Sequence, residues 1–218
     1  MMMKQEKIIR ILKILEKQDY GVSMLAGFGG LDADPFKILI ATVLSVRAKD
    51  EATIPIVEKL WEKYNTPKKI ADANPKDLEE IIRPIGFYNI KTKRIQDLSR
   101  KLLDEFNGKV PSEEEELLSL PGVGRKVANC VLVYSFDKYA VPVDVHVHRI
   151  SNRLGFVTTN NPEETELKLI ETIPRKYWKI VNEKMVLLGQ NICKPITPIC
   201  SACQLNKLCE KNNVKRFL

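Results

Sequence analysis

The sequence has no apolar run long enough to cross a membrane, because a membrane-spanning helix needs about 20 consecutive apolar residues. It also lacks a hydrophobic signal segment, since the first four residues lead directly into a charged amphipathic stretch. We therefore expect no membrane partner and a reducing compartment. In such a compartment cysteine thiols stay available as ligands and do not pair as disulfides.

Histidines are few, and the pattern of β-strands is missing. His146 and His148 are the only two histidines, and they lack the i, i+4 spacing of a helical metal pair. The sequence shows no convincing strand-like alternation of apolar and polar residues, whereas apolar residues recur at intervals of three and four. This periodicity predicts an all-α fold. The first predicted helix has one apolar face, formed by Ile8, Ile9, Ile11, Leu12 and Leu15.

The overall composition is that of a globular protein. With 218 residues, of which 44% are hydrophobic and 29% charged, the chain can form one large or two small domains. Lys and Arg number 35 against 28 Asp and Glu, which gives a net charge of +7. A positive net charge favours an anionic partner, and nucleic acid is the leading candidate.

Two local patterns mark helix boundaries. The passage from Gly27 to Gly30, followed by Asp34 and Pro35, interrupts the helical periodicity and predicts a linker. Ser112 and Glu115 predict a capping box at the start of a short helix.

Four of the five cysteines form a C-x6-C-x2-C-x5-C pattern made of Cys193, Cys200, Cys203 and Cys209. Thiolates with this spacing can converge on one metal centre. Structural zinc usually uses two short C-x2-4-C pairs, and here only Cys200 and Cys203 form one, so the pattern favours a [4Fe–4S] cluster. Zinc and unliganded buried thiols are the alternatives. The fifth cysteine, Cys130, lies in an apolar helix and is interpreted as core packing.

A glycine-rich turn separates two predicted helices in the segment LPGVGRKVA. Pro121 and Gly122 predict a tight turn, and Gly124 lets the backbone come close to a large partner before the next helix begins. A helix N-terminus behind a glycine turn is a phosphate site, and Arg125 adds positive charge beside it. The segment from about residue 112 to 135 is therefore interpreted as a helix-hairpin-helix, which binds the nucleic-acid backbone without reading bases. A plain turn between packed helices is the alternative.

Lys126 and Asp144 are the candidate catalytic residues. Lys126 lies in the first turn of the second hairpin helix, where the positive end of the helix dipole disfavours the ammonium form and favours a nucleophilic amine. Asp144 lies just before another predicted helix. Chemistry at a sugar C1′ requires an amine that forms a Schiff base and a carboxylate that stabilises cationic character and helps the amine lose its proton. Each residue also has a plainer interpretation, Asp144 as an N-cap and Lys126 as a phosphate contact.

Taken in order, LPGVGRKVANCVL, VPVDVHVHRI and the four cysteines resemble the endonuclease III family of helix-hairpin-helix DNA glycosylases. Two earlier motifs fit as well, since LSVRAKD resembles the family's loop near the lesion and IGFYNIKTKR its DNA-wedge turn and basic helix. The resemblance covers almost the whole chain. It implies two helical domains flanking a DNA-binding cleft: residues 1–28 with 139–218 as a discontinuous domain that carries the cluster, and residues 29–138 as a six-helix domain.

The resemblance also implies a function in base excision repair. Such enzymes flip a damaged base, here expected to be an oxidised pyrimidine, out of duplex DNA, release it and cleave the abasic strand by β-elimination. Lys126 matches the family's Schiff-base lysine, Asp144 its catalytic aspartate, and the four cysteines its [4Fe–4S] ligands. The protein is expected to act as a monomer on double-stranded DNA in the cytoplasm, associated with the nucleoid in a prokaryote.

Two other functions are compatible with parts of the pattern. Monofunctional thymine or adenine mismatch glycosylases resemble this sequence but lack lysine at the position of Lys126, so its presence favours the bifunctional enzyme. The alternative of another class is a non-enzymatic DNA-binding iron–sulfur redox sensor.

The resemblance assigns DNA contacts to several separate positions. Arg47 stands where many relatives have Gln and is expected to help fill the gap that a flipped base leaves. Phe87 stands where an aliphatic wedge is common and is expected to intercalate. His148 and Arg149 are expected to face solvent or DNA phosphate. The expected DNA-binding residues are Arg47, Phe87, Lys91, Gly122, Gly124, Arg125 and Lys194.

Overall fold

The computed structural model describes residues 2–29 and 34–218, with side chains for residues 5–29 and 34–218. These residues form α-helices and short 3-10 turns, and no strand occurs among them, so the predicted all-α class is confirmed. Part of the predicted linker, residues 30–33, lies outside the described residues. The α-helices are α1 (Met2–Lys17), α2 (Met24–Gly27), α3 (Pro35–Ser45), α4 (Asp50–Lys63), α5 (Pro67–Ala71), α6 (Pro75–Ile82), α7 (Tyr88–Phe106), α8 (Glu114–Leu118), α9 (Arg125–Phe136), α10 (Val145–Leu154), α11 (Pro162–Thr172) and α12 (Trp178–Asn191).

Four of these helices begin with a polar capping residue followed by proline. In each, the capping side chain accepts a hydrogen bond from a backbone N–H of the first turn. Proline at the first helical position sacrifices no hydrogen bond, because the N–H there has no partner within the helix. Each such cap contributes roughly 0.5–2 kcal/mol. The pairs are Asp34-Pro35 at α3, Thr66-Pro67 at α5, Asn74-Pro75 at α6 and Asn161-Pro162 at α11.

The start of α8 differs from the expectation. The predicted capping box of Ser112 and Glu115 is wrong, because α8 begins at Glu114 with Glu113 as its N-cap and no side chain capping it. The Ser112 hydroxyl instead lies 3.5 Å from the Glu113 carboxylate, and the Lys138 ammonium donates hydrogen bonds of 2.6 Å to both the Ser112 carbonyl oxygen and the Glu113 carboxylate. The same hydrogen-bonded ion pair holds the pKa of Glu113 below its usual value.

The chain divides into two compact units. The first unit consists of Met1–Ser23 and Tyr139–Leu218, and so contains α1, α10, α11, α12 and the cysteine-rich segment. The second unit is Met24–Lys138 and contains α2 to α9. The short helix α2 lies in the sequence range expected for the first domain, but it belongs to the second unit, where it contacts α3.

The core of the first unit is built on the apolar face of α1. Ile11 and Leu12 are fully buried, and they share one core with the inward-facing residues of α10 and α12. Leu205, from the cysteine-rich segment, is also fully buried in this core. Burial of apolar surface, at about 25 cal/mol per Å², therefore holds α1 and the cysteine-rich segment in one unit.

The second unit is centred on α3 and α9, which pack against each other. Both helices are buried around most of their circumference, as expected for helices that are apolar on nearly every face. The longer α7 packs beside them against α5 and α6. Among the helices of the described residues, none combines the length and apolarity that a membrane crossing would need.

We expect Leu12→Ala to lower the free energy of unfolding by about 2–5 kcal/mol, because truncation of a fully buried side chain leaves a cavity. The matched control is Leu167→Ala, since Leu167 lies in α11 but is 56% exposed, and a surface change of this kind shifts stability by about 0.5 kcal/mol or less. Urea unfolding followed by circular dichroism measures both variants. Equal losses in the two would contradict the buried position of α1.

Candidate functional site

The turn between α8 and α9 depends on a glycine with a left-handed backbone. Leu120 and Val123 anchor the turn, since both are buried and the Val123 N–H donates a 3.1 Å hydrogen bond to the Leu120 carbonyl. Gly122 has φ +79°, and a Cβ atom at this position would lie 3.0 Å from Cδ of Arg94. Glycine is therefore required here both by the backbone and by the neighbouring side chain.

Gly124 has no such internal requirement. Its backbone is extended, with φ −100° and ψ 177°, and no atom lies within 4 Å of the place a Cβ would occupy. Gly124 is the N-cap residue of α9 and supplies no side chain to cap the first N–H groups of that helix. Those N–H groups therefore remain available to an anion that approaches through the open space.

Lys126 and Arg125 follow this turn but differ in their partners. Lys126 is half-buried in the first turn of α9, and among the described residues its ammonium makes no hydrogen bond or ion pair. Arg125 forms an ion pair with Glu114 at 3.3 Å, and both side chains are 42% exposed. An ion pair this exposed contributes about 0–1 kcal/mol, so a more strongly charged anion can replace Glu114.

Arg47 and Phe87 share an unfavourable backbone conformation. Their φ angles are +55° and +62°, in the left-handed region that costs a non-glycine residue of order 1–3 kcal/mol. Arg47 follows α3 closely and is exposed, while Phe87 precedes α7 as its N-cap residue and is 58% exposed. Strain that is kept at exposed side chains points to a role outside the fold itself.

Lys91 lies in the interior, although the sequence predicts a DNA contact at this position. It is only 3% exposed, and its ammonium has no hydrogen-bond partner among the described residues. Burial lowers the pKa of Lys91, and the nearby charge of Arg94 lowers it further. The first turns of α7 therefore hold two neighbouring cations.

Asp144 caps α10. Its Oδ1 atom accepts hydrogen bonds from the backbone N–H groups of His146 and Val147, both at 2.9 Å. The N-cap interpretation is therefore correct, and it leaves Oδ2 without a hydrogen bond from any described residue. Asp144 belongs to the first unit and Lys126 to the second.

The four cysteines 193, 200, 203 and 209, named here the cysteine centre, line one cavity in the first unit. Cys193 follows α12, and Cys200 begins a short 3-10 turn. Cys203 directly follows this turn and donates its N–H to the Cys200 carbonyl. In the described part of the chain, no three His, Cys, Asp or Glu side chains are grouped closely enough to hold a single metal ion. The thiols are instead spread around the cavity, whose other walls include Ile150, Leu154, Leu188, Leu205 and Val214.

The thiols of the cysteine centre influence one another. Burial raises the pKa of Cys203 and Cys209, and in each case the charges of neighbouring cysteines raise it further. Backbone N–H groups of Leu205 and Lys211 hydrogen-bond to these two thiols and partly offset the effect. Thiols in this position need a bound cation to be held together as thiolates.

Two arginines of α10 contact the cysteine centre, a role that was not predicted for them from the sequence. Arg153 is buried and donates hydrogen bonds to Sγ of Cys193 at 3.2 Å and to the Lys194 carbonyl at 2.7 Å. Arg149 donates to the Cys193 carbonyl at 2.9 Å, so the expectation that it faces solvent or DNA phosphate is wrong. Their i, i+4 spacing places both on one face of α10. This shared face can be predicted from the sequence, but its contact with Cys193 cannot.

Two further residues of the first unit have local partners. Lys194 is exposed, and its ammonium donates a hydrogen bond to the Gln190 carbonyl near the end of α12. His148 is half-buried with Nδ1 at 2.7 Å from Oγ1 of Thr165. The expectation that His148 faces solvent or DNA phosphate is therefore wrong.

Known proteins resemble this chain in sequence and in structure. The family described as HhH-GPD superfamily base excision DNA repair protein matches residues 40–175. Endonuclease III of Thermotoga maritima is 50% identical over 179 residues, which cover 82% of this chain and 84% of that protein. A non-covalent endonuclease III–DNA complex has a TM-score of 0.86 at 37% identity and covers 95% of each chain. A trapped endonuclease III–DNA covalent intermediate, an estranged-adenine complex, has a TM-score of 0.84 at 36% identity and covers 95% of this chain and 96% of that one.

We expect Gly122→Ala and Gly124→Ala to differ in stability. At Gly122 the added methyl group meets both the left-handed backbone and Arg94, so the free energy of unfolding should fall by about 1 kcal/mol or more. At Gly124 the backbone is extended and the space is open, so stability should hold or rise slightly because alanine restricts the unfolded chain. Thermal unfolding of the two variants compares them directly. Equal destabilisation would contradict the different roles assigned to these glycines.

Proposed function

Because the chain belongs to the HhH-GPD superfamily of base excision DNA repair proteins, we propose that Lys126 and Asp144 perform its chemistry. The chain is a bifunctional DNA glycosylase and abasic-site lyase, a function supported by its similarity to endonuclease III over most of its length. The observation that carries the residue assignment is the position of Lys126. Its half-buried ammonium stands in the first turn of α9, directly behind the glycine turn and without a partner among the described residues.

Duplex DNA binds first through its backbone. The uncapped N–H groups at the start of α9 receive a phosphate across the open space at Gly124. Arg125 exchanges Glu114 for the same backbone, because a phosphate competes well with an exposed carboxylate. Phe87 and Arg47 enter the gap that the damaged nucleotide leaves on flipping, and their contacts offset an unstacking cost of a few kcal/mol. Lys194 adds a contact from the first unit.

Base release and strand cleavage both proceed through the Lys126 amine. Its nitrogen bonds to C1′ as the bond from C1′ to the damaged base breaks, and the base leaves with the electron pair and takes up a proton. Once the new secondary amine has lost a proton, its lone pair expels O4′, which takes up a proton, so the C1′–O4′ bond breaks, the sugar ring opens and a protonated Schiff base forms at C1′. Removal of a C2′ proton then expels the 3′ phosphate, which cleaves the strand by β-elimination.

Asp144 acts electrostatically and as a base. Its Oδ1 atom is held by the two N–H groups at the start of α10, which fixes the carboxylate in place. The unengaged Oδ2 stabilises positive charge on the sugar as the base departs and serves as a general base of the reaction. We further propose oxidised pyrimidines as the substrates, on the strength of the similarity to endonuclease III.

The test is borohydride reduction in the presence of a duplex with one damaged pyrimidine. Wild-type protein should form a covalent adduct with the DNA, whereas Lys126→Ala should form none, because the Schiff base requires the amine. Asp144→Asn should lower kcat by about 100-fold or more but preserve folding, because the Asn side-chain oxygen can still cap α10. Base release and strand scission are measured separately. Base release by the wild type without any adduct would indicate a monofunctional glycosylase and overturn the proposal.

We propose that the cysteine centre holds a [4Fe–4S] cluster. Four thiols around one largely apolar cavity match the donor set and the surroundings of such a cluster. The ligands would be Cys193, Cys200, Cys203 and Cys209. When bound, the cluster supplies a rigid cross-link between these segments and a centre that can exchange electrons.

Replacement of one cysteine ligand should distinguish a bound cluster from cysteines that only pack in the core. We expect Cys203→Ala to abolish the broad visible absorbance of the cluster and to lower thermal stability, because ligand binding is coupled to folding. Cys130→Ala is the matched control, since Cys130 is fully buried in α9 of the second unit and is no part of the cavity. Metal analysis of the wild type should find about four iron atoms per chain. One zinc ion per chain would overturn the cluster assignment.

A further inference from the structure

The polarity of the first turn of α7 is reversed. Ile90 is 51% exposed, while its neighbour Lys91 is 3% exposed and has no hydrogen-bond partner for its ammonium among the described residues. Globular helices normally bury the isoleucine and expose the lysine. The reversal costs stability at both positions, because apolar surface stays in water and a charge is buried without a counter-ion.

Ile90 enlarges the apolar surface of Phe87. Phe87 is the N-cap residue of α7 and Ile90 lies in the first turn of that helix, so both exposed side chains belong to the same end of α7. Phe87 is 58% exposed, so more than half of each side chain is open to solvent. Together they form what we name the α7 ridge, an exposed apolar pair of Phe87 and Ile90.

Cations border the α7 ridge on the same helix. Lys93 and Arg94 are both exposed, and Arg94 lies one turn beyond Ile90. The side chain of Arg94 runs against the hairpin turn, since its Cδ lies 3.0 Å from the place of a Cβ on Gly122. The ridge and the phosphate-binding turn are therefore adjacent parts of one surface within the second unit.

An apolar ridge with a cationic border has the chemistry of a DNA-docking surface. Apolar wedges of this kind insert between base steps, while cations beside them take the phosphates. The buried Lys91 ammonium has only another cation, Arg94, as a charged neighbour that acts on it. A DNA phosphate docked on this surface would supply an opposite charge that acts on the Lys91 ammonium without touching it, since the ammonium has almost no exposed surface. Burial weakens the screening of such an interaction by solvent and salt.

We propose that Ile90 acts beside Phe87 as a second wedge residue in damaged DNA, and that Lys91 keeps its buried charge for duplex binding at the expense of fold stability. This inference rests on the proposed function and adds two roles to it. It assigns the reversed turn to DNA binding, where a fold optimised for stability alone would place the two side chains the other way round.

Ile90→Ser tests the wedge. We expect it to weaken binding to a duplex that carries a stable abasic-site analogue by about three- to tenfold, since the apolar contact with the bases is lost. A 2-aminopurine placed beside the lesion reports unstacking by a rise in fluorescence, and this rise should be smaller with Ile90→Ser than with the wild type. Leu167→Ser is the matched control, because Leu167 is a 56% exposed helical residue of the first unit, and it should bind as the wild type does. Unchanged binding and unstacking in Ile90→Ser would overturn the wedge.

Lys91→Met tests the buried charge, because methionine fills a similar space but carries no charge. We expect the Tm to rise while affinity for the same duplex falls by about tenfold, and the salt dependence of binding to lose about one counterion. A lower Tm together with unchanged affinity would show that the charge serves the fold, against the inference. The failure of the proposed function and the failure of this inference are distinguishable. Absence of a borohydride adduct with the wild type refutes the proposed function. A normal wild-type adduct, together with variants that bind DNA as the wild type does, refutes only this inference.

Discussion

The burial of α9 is the constraint on which the proposed chemistry depends. Eight successive residues of this helix, from Val127 to Tyr134, are buried in the second unit. A helix held around most of its circumference cannot rotate or slide without losing close packing. Lys126, one residue before the buried run, therefore has a fixed position, and so do the glycine turn and the uncapped N–H groups that precede it. The core of the unit thus orients the amine, and the turn adds only the approach for phosphate.

In the first unit, α10 has the corresponding role. Asp144 caps its first turn, while Arg149 and Arg153, which lie further along the helix, bind the segment that begins at Cys193. One helix therefore connects the candidate carboxylate to the cysteine centre. A cluster bound there would stiffen the helix that holds Asp144, which would be a structural role in a reaction that needs no electron transfer.

Several locally unfavourable features of the second unit occur at its proposed DNA-binding positions. Arg47 and Phe87 keep left-handed backbones, and Ile90 and Lys91 exchange the environments that their polarity favours. Each costs stability, and none is repaired by a neighbour among the described residues. Natural proteins break local rules of this kind mainly at functional sites, so these costs are consistent with a role of the four residues in DNA binding.

Features that depend on neighbours in sequence could be predicted from the sequence: the helical class, the apolar face of α1, the cysteine spacing, and the placing of Lys126 in a first turn and Asp144 at a cap. Local hydrogen bonds and the 3.6-residue period determine these. Only the tertiary structure decided that Lys138 bonds to the Ser112 carbonyl and to Glu113, that Arg153 meets Cys193, and that Lys91 is buried while its neighbour Ile90 is exposed. Each of these is a contact or a burial set by residues far away in the chain, and long-range packing energies outweigh the fraction of a kilocalorie by which a local pattern prefers one arrangement.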